Sequence, residues 1–527
     1  MRKHMKLVSM VLLVAMCVFC LAGCGGNKQQ QEAAPAAGEA KLSDTLVFAQ
    51  GAEPRGLDPA LVDDGESAKV MANIYEGLVK YAPDSTDILP CLAKSWEISE
   101  DGLTYTFKLQ EGVLFHDGTP FNAEAVKFNI DRQLPPLVTE DMGYAGFVFG
   151  SVDNVEVVDE YTVKINLKSP STPFMANLAM ALGAPIVSPT ALQNNDNNVN
   201  QAPCGTGPYK FVSWSPSENV VLERNENYWG TPAKTQNIIF RFIADNSARV
   251  VALTNGEVDM IDGIDATVVD QIKAGQMTVD NIEGMTINYL AYNTQSPVVA
   301  DKEVRKALSQ AVNVPELVAS LYQGYASEAT TILPSFMPGY SAEVKQVGYD
   351  PEAAKAVLEA KGITEIHVIT YTNPRPYNTA NGQTLAEAIQ GYWSKVGVTA
   401  KIDAYDWSTY KEKVKTGDYD VCFYGWNGDN GDPDNFMNLL CDPDPTMNVA
   451  RYNNPEFNAL IAQGVATANG EERNALYAQM EKIVAEDCVW LPISHAQVLS
   501  AYNPLVDGYY YHKTAVVFFS EMSKPAK

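Results

Sequence analysis

Short apolar runs alternate with amphipathic stretches along most of the chain. Residues 46–50 (LVFAQ) predict a strand, and residues 67–78 predict an amphipathic helix. Apolar and polar positions alternate on either side of Asp101-Gly102, which predicts a β-hairpin; a second hairpin is predicted around Asp159-Glu160. Asn122 stands where a polar turn enters a helix and is the expected N-cap. Residues 240–261 read as a strand followed by a helix from near Asn246. Further on, helices are predicted over 304–313, 315–322, 350–361 and 384–396, with strands over 366–371, 398–404 and 421–424. Gly362 ends the third of these helices. This alternation argues for an α/β lobe. Residues 473–487 predict a late helix, and 491–493 a short strand.

The stretch DVCFYGWNGDNGDPDNFMNLL, residues 420–440, departs from this rhythm. After the apolar run comes a loop of three carboxylates (Asp429, Asp432, Asp434), three glycines and Trp426. Such a composition suits a binding mouth better than a packed core. Glycines allow close backbone approach to a ligand, Trp426 offers a flat apolar wall with one donor, and a carboxylate beside it could hold an ammonium. A solvated turn is the plainer reading, since Asn-Gly and Asp-Pro are turn signals. A calcium loop is excluded by Pro433 and by the lack of a closing glutamate. A second loop, TNPRPYN at 372–378, follows a predicted strand and sets Arg375 between two prolines. The prolines stiffen it, and a guanidinium there could grip a carboxylate through paired hydrogen bonds. A surface salt bridge is the plainer alternative.

Length and charge narrow the class. A chain of 527 residues with 19% charged and 46% hydrophobic positions can build two or more globular domains. Its formal charge is −26, and −29 once Arg2, Lys3 and Lys6 leave with the leader, which argues against nucleic acid as partner. Those basic residues, the apolar run 7–21 and the small residues before Cys24 make a signal peptide over residues 1–23. Residues 24–44 begin with a Gln-, Ala- and Gly-rich segment and are expected to form a flexible tether. No later stretch is long and apolar enough to span a bilayer. Cys91, Cys204, Cys422, Cys441 and Cys488 remain in the exported chain; with no CxxC or Cys/His metal spacing, they read as small buried apolar residues. No metal site and no cofactor is expected. Neither a GxSxG elbow nor an HExxH helix is present, so an exported hydrolase is the weaker class, although the acidic loop could hide a glycosidase pair.

The segments LAKSWEISEDGLTYTFKLQEGVLFHDGTPFNAEAVKF (92–128), GTGPYKF (205–211) and NENYWG (225–230) occur in that order. They resemble the solute-binding proteins of ABC importers for peptides and nickel, extracellular solute-binding family 5. The pairing of RPYN with GWNGDNGDPDNF resembles the dipeptide-binding branch. The resemblance implies a two-lobed α/β periplasmic-binding-protein fold of type II with an extra subdomain in the first lobe. Lobe I is then 45–290 with 500–527, its inserted subdomain about 85–205, and lobe II is 291–499. It further implies that Asp429 binds the peptide amino group and Arg375 its carboxylate. Tyr377, Trp407 and Trp426 would line the pocket, and Gly65 would add backbone contact from the other lobe. Asp63 stands where the branch has a hydroxyl residue, which opens the choice of ligand. Ala49 and Asn255 stand near the branch's disulfide positions, so that bridge is missing. The implied role is a monomeric, non-enzymatic receptor; residues 21–24 (LAGC) resemble the bacterial lipobox, which implies a lipid on Cys24 that holds the receptor at the cell membrane on its extracytoplasmic side, outer face or periplasm. It would deliver a dipeptide to an ABC permease. A longer peptide, haem, nickel or a glutathione-like thiol are the alternative solutes; five histidines without a cluster weaken nickel. Cys24→Ser is expected to abolish membrane retention and leader processing, read by detergent partitioning; a variant that partitions like the parent would refute the lipid anchor.

Overall fold

One strand, Trp490–Tyr502, threads both halves of the molecule. Its first part pairs antiparallel with Thr286–Tyr292, and its second part with Thr278–Glu283 and Met260–Asp262. The sequence predicts only three residues of strand here, because Pro492 lacks a donor and polar Ser494, His495 and Gln497 interrupt the apolar pattern. In the fold the polar positions find partners where the chain crosses between halves. The His495 Nδ1–H donates to the Thr286 carbonyl at 2.6 Å, and the Ala496 amide donates to the Thr286 hydroxyl at 2.8 Å. The computed structural model describes residues 42–526; residues 1–41 and 527, including the leader, Cys24 and most of the tether, lie outside the described residues.

The result is a two-lobed α/β fold. In one lobe the strands run Thr399–Tyr405, Glu365–Tyr371, Val421–Asn427, Thr286–Tyr292, then the long strand. In the other, the long strand is followed by Met260–Asp262, Thr45–Gln50, Asn237–Phe242, Asn219–Arg224 and Tyr209–Ser215. A separate four-stranded antiparallel sheet contains both predicted hairpins, Ala93–Ile98 with Thr104–Leu109 and Val152–Asp159 with Thr162–Leu167. Each part has its own apolar centre. Leu290, Ile369, Trp393 and Phe423 share one cluster, Phe107, Phe121, Phe149 and Ile165 a second. Phe48, Phe240 and Phe519 meet edge to face in a third, with centroids 5.4–5.8 Å apart.

Local signals behave as their chemistry dictates. The Asn122 side chain accepts from the Ala125 amide at 3.1 Å and starts the helix Ala123–Asp131. Gly362 caps Pro351–Lys361 at φ +70°. The helix expected over 67–78 is shorter, Gly65–Met71. Its continuation is taken by another partner: the Asn73 and Ile74 carbonyls accept from the Tyr209 and Gly207 amides at 3.1 and 2.9 Å. The three segments that carry the family resemblance converge at this point. The His116 Nε2–H donates to the Gly207 carbonyl at 3.0 Å, and burial holds its pKa down to about 4, so the ring is a neutral staple. Half-buried Glu76 accepts from the Thr206 and Tyr228 hydroxyls at 2.8 and 2.7 Å and from the Trp229 indole at 2.7 Å. All five cysteines of the described chain are free thiols; Cys441 is half-buried and the other four are buried.

Glu481, 1% exposed, accepts from the Ser341 amide at 2.8 Å and holds the 331–341 loop against the late helix Glu471–Asp487. Burial raises its pKa from 4.5 to about 7, against the opposing pull of its hydrogen bonds. The folded state therefore holds this proton more tightly than the unfolded chain. The associated stability is present below about pH 4.5 and is lost as pH rises through about 7. Glu481→Gln is expected to remove that slope. Urea unfolding between pH 4 and 8 should show the variant gaining on the parent as pH rises; parallel pH profiles would refute it.

Candidate functional site

Three strands of one lobe run parallel and end at the same edge. Tyr371 is level with Tyr405, and Ile369 with Cys422. The residues singled out in the sequence gather at this edge: Arg375 on the loop after Glu365–Tyr371, Trp407 at the start of the helix Trp407–Thr416 that follows Thr399–Tyr405, and Trp426 near the end of Val421–Asn427 with Asp429 on the loop after it. Strand carboxyl ends are where α/β sheets collect ligands.

Arg375 lies flat on Trp407, its guanidinium carbon 4.0 Å from the ring centroid. Among the described residues no carboxylate comes within 4.0 Å of it, so the surface-salt-bridge reading does not hold. Its Nε is buried without a hydrogen-bond partner, as is the hydroxyl of Tyr377, which is itself 4% exposed. Tyr371, Tyr410 and Tyr424 surround Trp407 at 5.5, 5.7 and 5.5 Å between centroids, and Tyr377 meets Tyr371 edge-on at 6.2 Å. Burial, with Tyr424 adding, raises the pKa of the Tyr377 phenol, so it stays a neutral donor.

Asp429 is set by Asn435. The Asn435 Oδ1 accepts both the Asp429 amide at 3.0 Å and the Trp426 indole N–H at 2.8 Å, so Trp426 presents its ring while its donor is used. One Asp429 carboxylate oxygen accepts from the Tyr144 hydroxyl at 2.7 Å. Among the described residues no cation pairs with Asp429. Burial raises its pKa, opposed by the bonds from Tyr144 and Asn435.

The acidic loop is not uniformly a mouth. Asp432 is buried and receives both terminal nitrogens of Arg473 at 2.7 Å, while Asp434 accepts from the Tyr477 hydroxyl at 3.4 Å. Of the three carboxylates only Asp429 is free of this internal network, because the late helix delivers a buried arginine to Asp432 and the Tyr477 hydroxyl to Asp434. The glycines also serve the protein's own packing. A Cβ on Gly425 would come within 2.2 Å of the Tyr377 ring, and one on Gly431 within 2.2 Å of Thr86. The first lobe and its subdomain grip the same loop: the Gly431 amide donates to the Tyr81 hydroxyl at 3.1 Å, and Asn430 donates to Asn177 at 2.5 Å.

The other lobe's candidates are placed less centrally. Gly65 begins the helix Gly65–Met71 and is exposed, with open space where a side chain would stand. Asp63 is exposed and ion-paired with Arg55; its charge is felt by the Tyr144 hydroxyl, after those of burial and Asp429. The sequence missed Tyr144, Asn435 and Arg473. Tyr144 and Asp429 are 285 positions apart, and no local pattern joins them. Asn435 had a signal, since it closes the DPDN run six residues after Asp429.

Residues 87–448 match the family described as bacterial extracellular solute-binding proteins, family 5 Middle. Heme-binding protein A of Haemophilus influenzae is 32% identical, covering 96% of this chain and 97% of its own. The dipeptide-binding protein of Escherichia coli is 32% identical over 88% of this chain and 92% of its own. The solved structure of HbpA2 from Haemophilus parasuis superposes with a TM-score of 0.86 at 30% identity, covering 92% of this chain and 100% of that one. With the segments of residues 92–128, 205–211 and 225–230 all inside the matched range, the chain belongs to family 5 of the bacterial extracellular solute-binding proteins.

Proposed function

We propose that this protein is a lipid-anchored receptor that takes a dipeptide between its lobes and delivers it to the permease of an ABC importer. Its lobes are 45–290 with 500–527, and 291–499; its lipid sits on Cys24, and it works as a monomer outside the cytoplasmic membrane. The observation that carries the reading is a pair of opposite, unneutralised charges at one sheet edge: Arg375 on Trp407 and Asp429 beside Trp426. Each is partly desolvated, so each gains from a ligand that supplies the missing counter-charge. A free dipeptide has an ammonium at one end and a carboxylate at the other. Asp429 takes the ammonium, Arg375 takes the carboxylate, and Tyr377, Trp407 and Trp426 wall the space. Asp63 and Gly65 border it from the first lobe. Hinge closure about two chain crossings, near residues 285–292 and 495–501, encloses the ligand without any chemical step.

Haem is the second reading, favoured by the length of the match to Heme-binding protein A. It requires an axial ligand. Among the described histidines, His495 is buried and His116 half-buried, each on a backbone carbonyl; His512 is buried and hydrogen-bonded to the Ala82 carbonyl, while His367 pairs with Asp403.

Dipeptides are expected to bind better than tripeptides, because an extended residue adds ~3.3–3.6 Å and pulls one terminus off its anchor. N-acetylation or C-amidation should each weaken binding by about two to three decades, the cost of leaving one buried charge unpaired. Asp429→Ala should lose little more with the acetylated peptide. Calorimetry across this panel, with a haem titration followed by absorbance, tests both readings; equal affinity for di-, tri- and tetrapeptides, or indifference to both blocking groups, would overturn the two-anchor site.

A further inference from the structure

The loop that carries Arg375 is exposed at Thr372, Asn373, Pro374, Pro376 and Thr379, yet Asn378 within it is completely buried. The backbones of Arg375 and Asn378 bond each other in both directions, at 2.8 and 3.0 Å, so the position of one fixes the other. The Asn378 side chain uses both its ends. Its Oδ1 accepts from the Tyr322 hydroxyl at 2.9 Å, and its Nδ2 donates to the Tyr371 hydroxyl at 3.0 Å. The Tyr322 hydroxyl in turn accepts from Asn288 Nδ2 at 3.0 Å, and the same amide reaches the Ser494 hydroxyl at 3.3 Å. Asn288, Tyr322, Tyr371, Asn378 and Ser494 are all 3% exposed or less, so no water competes for these bonds.

The donors point one way, from Asn288 through Tyr322 to Asn378 and on to Tyr371. Asn288 stands opposite Gly425 on one neighbouring strand and opposite Ser494 on the other. Gly425 is the position whose missing side chain leaves room for the Tyr377 ring. Tyr371 packs edge-on against Trp407, the plate beneath the guanidinium. Two routes, the loop backbone and the Trp407 ring, therefore lead from Asn378 to one charged group.

We infer that Tyr322 is a positioning residue for ligand recognition: through Asn378 it fixes the Arg375 guanidinium where a ligand carboxylate meets it. This rests on the reading that Arg375 holds that carboxylate. Tyr322 touches no ligand itself. Removing its hydroxyl leaves Asn378 Oδ1 without its donor in a dry site and frees the loop to shift, while the ring volume is kept.

The test compares binding of alanylalanine with that of its C-amide, by calorimetry on the full-length chain in detergent. Tyr322→Phe should weaken the free acid by roughly five- to tenfold and leave the amide unchanged, so the acid-to-amide ratio falls. Asn378→Ala should do the same, and the double variant should lose no more than either single one, as expected for one shared path. Thermal unfolding of each variant confirms that it is folded. Arg375→Ala separates the two ideas. If it leaves the ratio at the parent value, the carboxylate assignment fails and the inference with it. If it collapses the ratio while Tyr322→Phe keeps the ratio, or weakens acid and amide equally, the positioning role alone is overturned.

Discussion

The fork between Arg473 and Asp432 is the interaction on which the rest of the cleft depends. Both nitrogens of a 1%-exposed guanidinium meet both oxygens of a 4%-exposed carboxylate at 2.7 Å, deep inside one lobe. The Arg473 Nε also donates to the Gly464 carbonyl at 2.7 Å, tying the late helix to its neighbour. A buried pair of this kind is costly to break from one side, since the remaining charge has nowhere to go. It fixes residue 432, and with it the short loop back to Asp429. The first lobe's grip on Asn430 and Gly431 can then act on a rigid object. Without the fork the loop would hold three like charges on a flexible turn, and each would seek solvent.

The same arrangement leaves Asp429 and Arg375 at the sheet edge without a charged partner among the described residues. Around them the protein supplies aromatic faces, neutral hydroxyls and amides, which orient a ligand without neutralising it. Tyr144 and Asn435 hold the carboxylate by hydrogen bonds from uncharged donors, so its demand for a cation remains. Trp407 supports the guanidinium through its ring face, which leaves the N–H groups at the edge available.

The relatives named for haem and for dipeptides share the fold almost end to end. A shared fold assigns no ligand by itself. On the proposed reading, discrimination between these solutes would lie in the few side chains at the strand ends and in what the first lobe brings to them. Asp63, paired with Arg55, and Tyr144, bonded to Asp429, are this chain's contributions there.

Much was legible from the sequence. Turn signals at Asp101-Gly102 and Asp159-Glu160, the Asn122 cap and the Gly362 stop are decided by neighbouring residues, and the fold keeps them. The RPYN stretch and the run from Gly428 to Asp434 marked two loops after strands, because proline, glycine and charge in those places suit no packed element; Gly425, Trp426 and Asn427, expected in the second loop, instead continue the strand, since Thr286, Ile287 and Asn288 pair with them. What the sequence misjudged was decided at long range. The strand at 490–502 looked short because its polar positions have partners only at the crossing between lobes. Asp432 looked like part of a mouth because Arg473 is 41 positions away. The helix expected to reach residue 78 stops at Met71 because distant amides claim the next carbonyls. Local chemistry thus determined where turns, caps and charged loops fall. Only the tertiary structure decided which charges are neutralised internally and which are left without a charged partner, since that depends on residues that separation in sequence conceals.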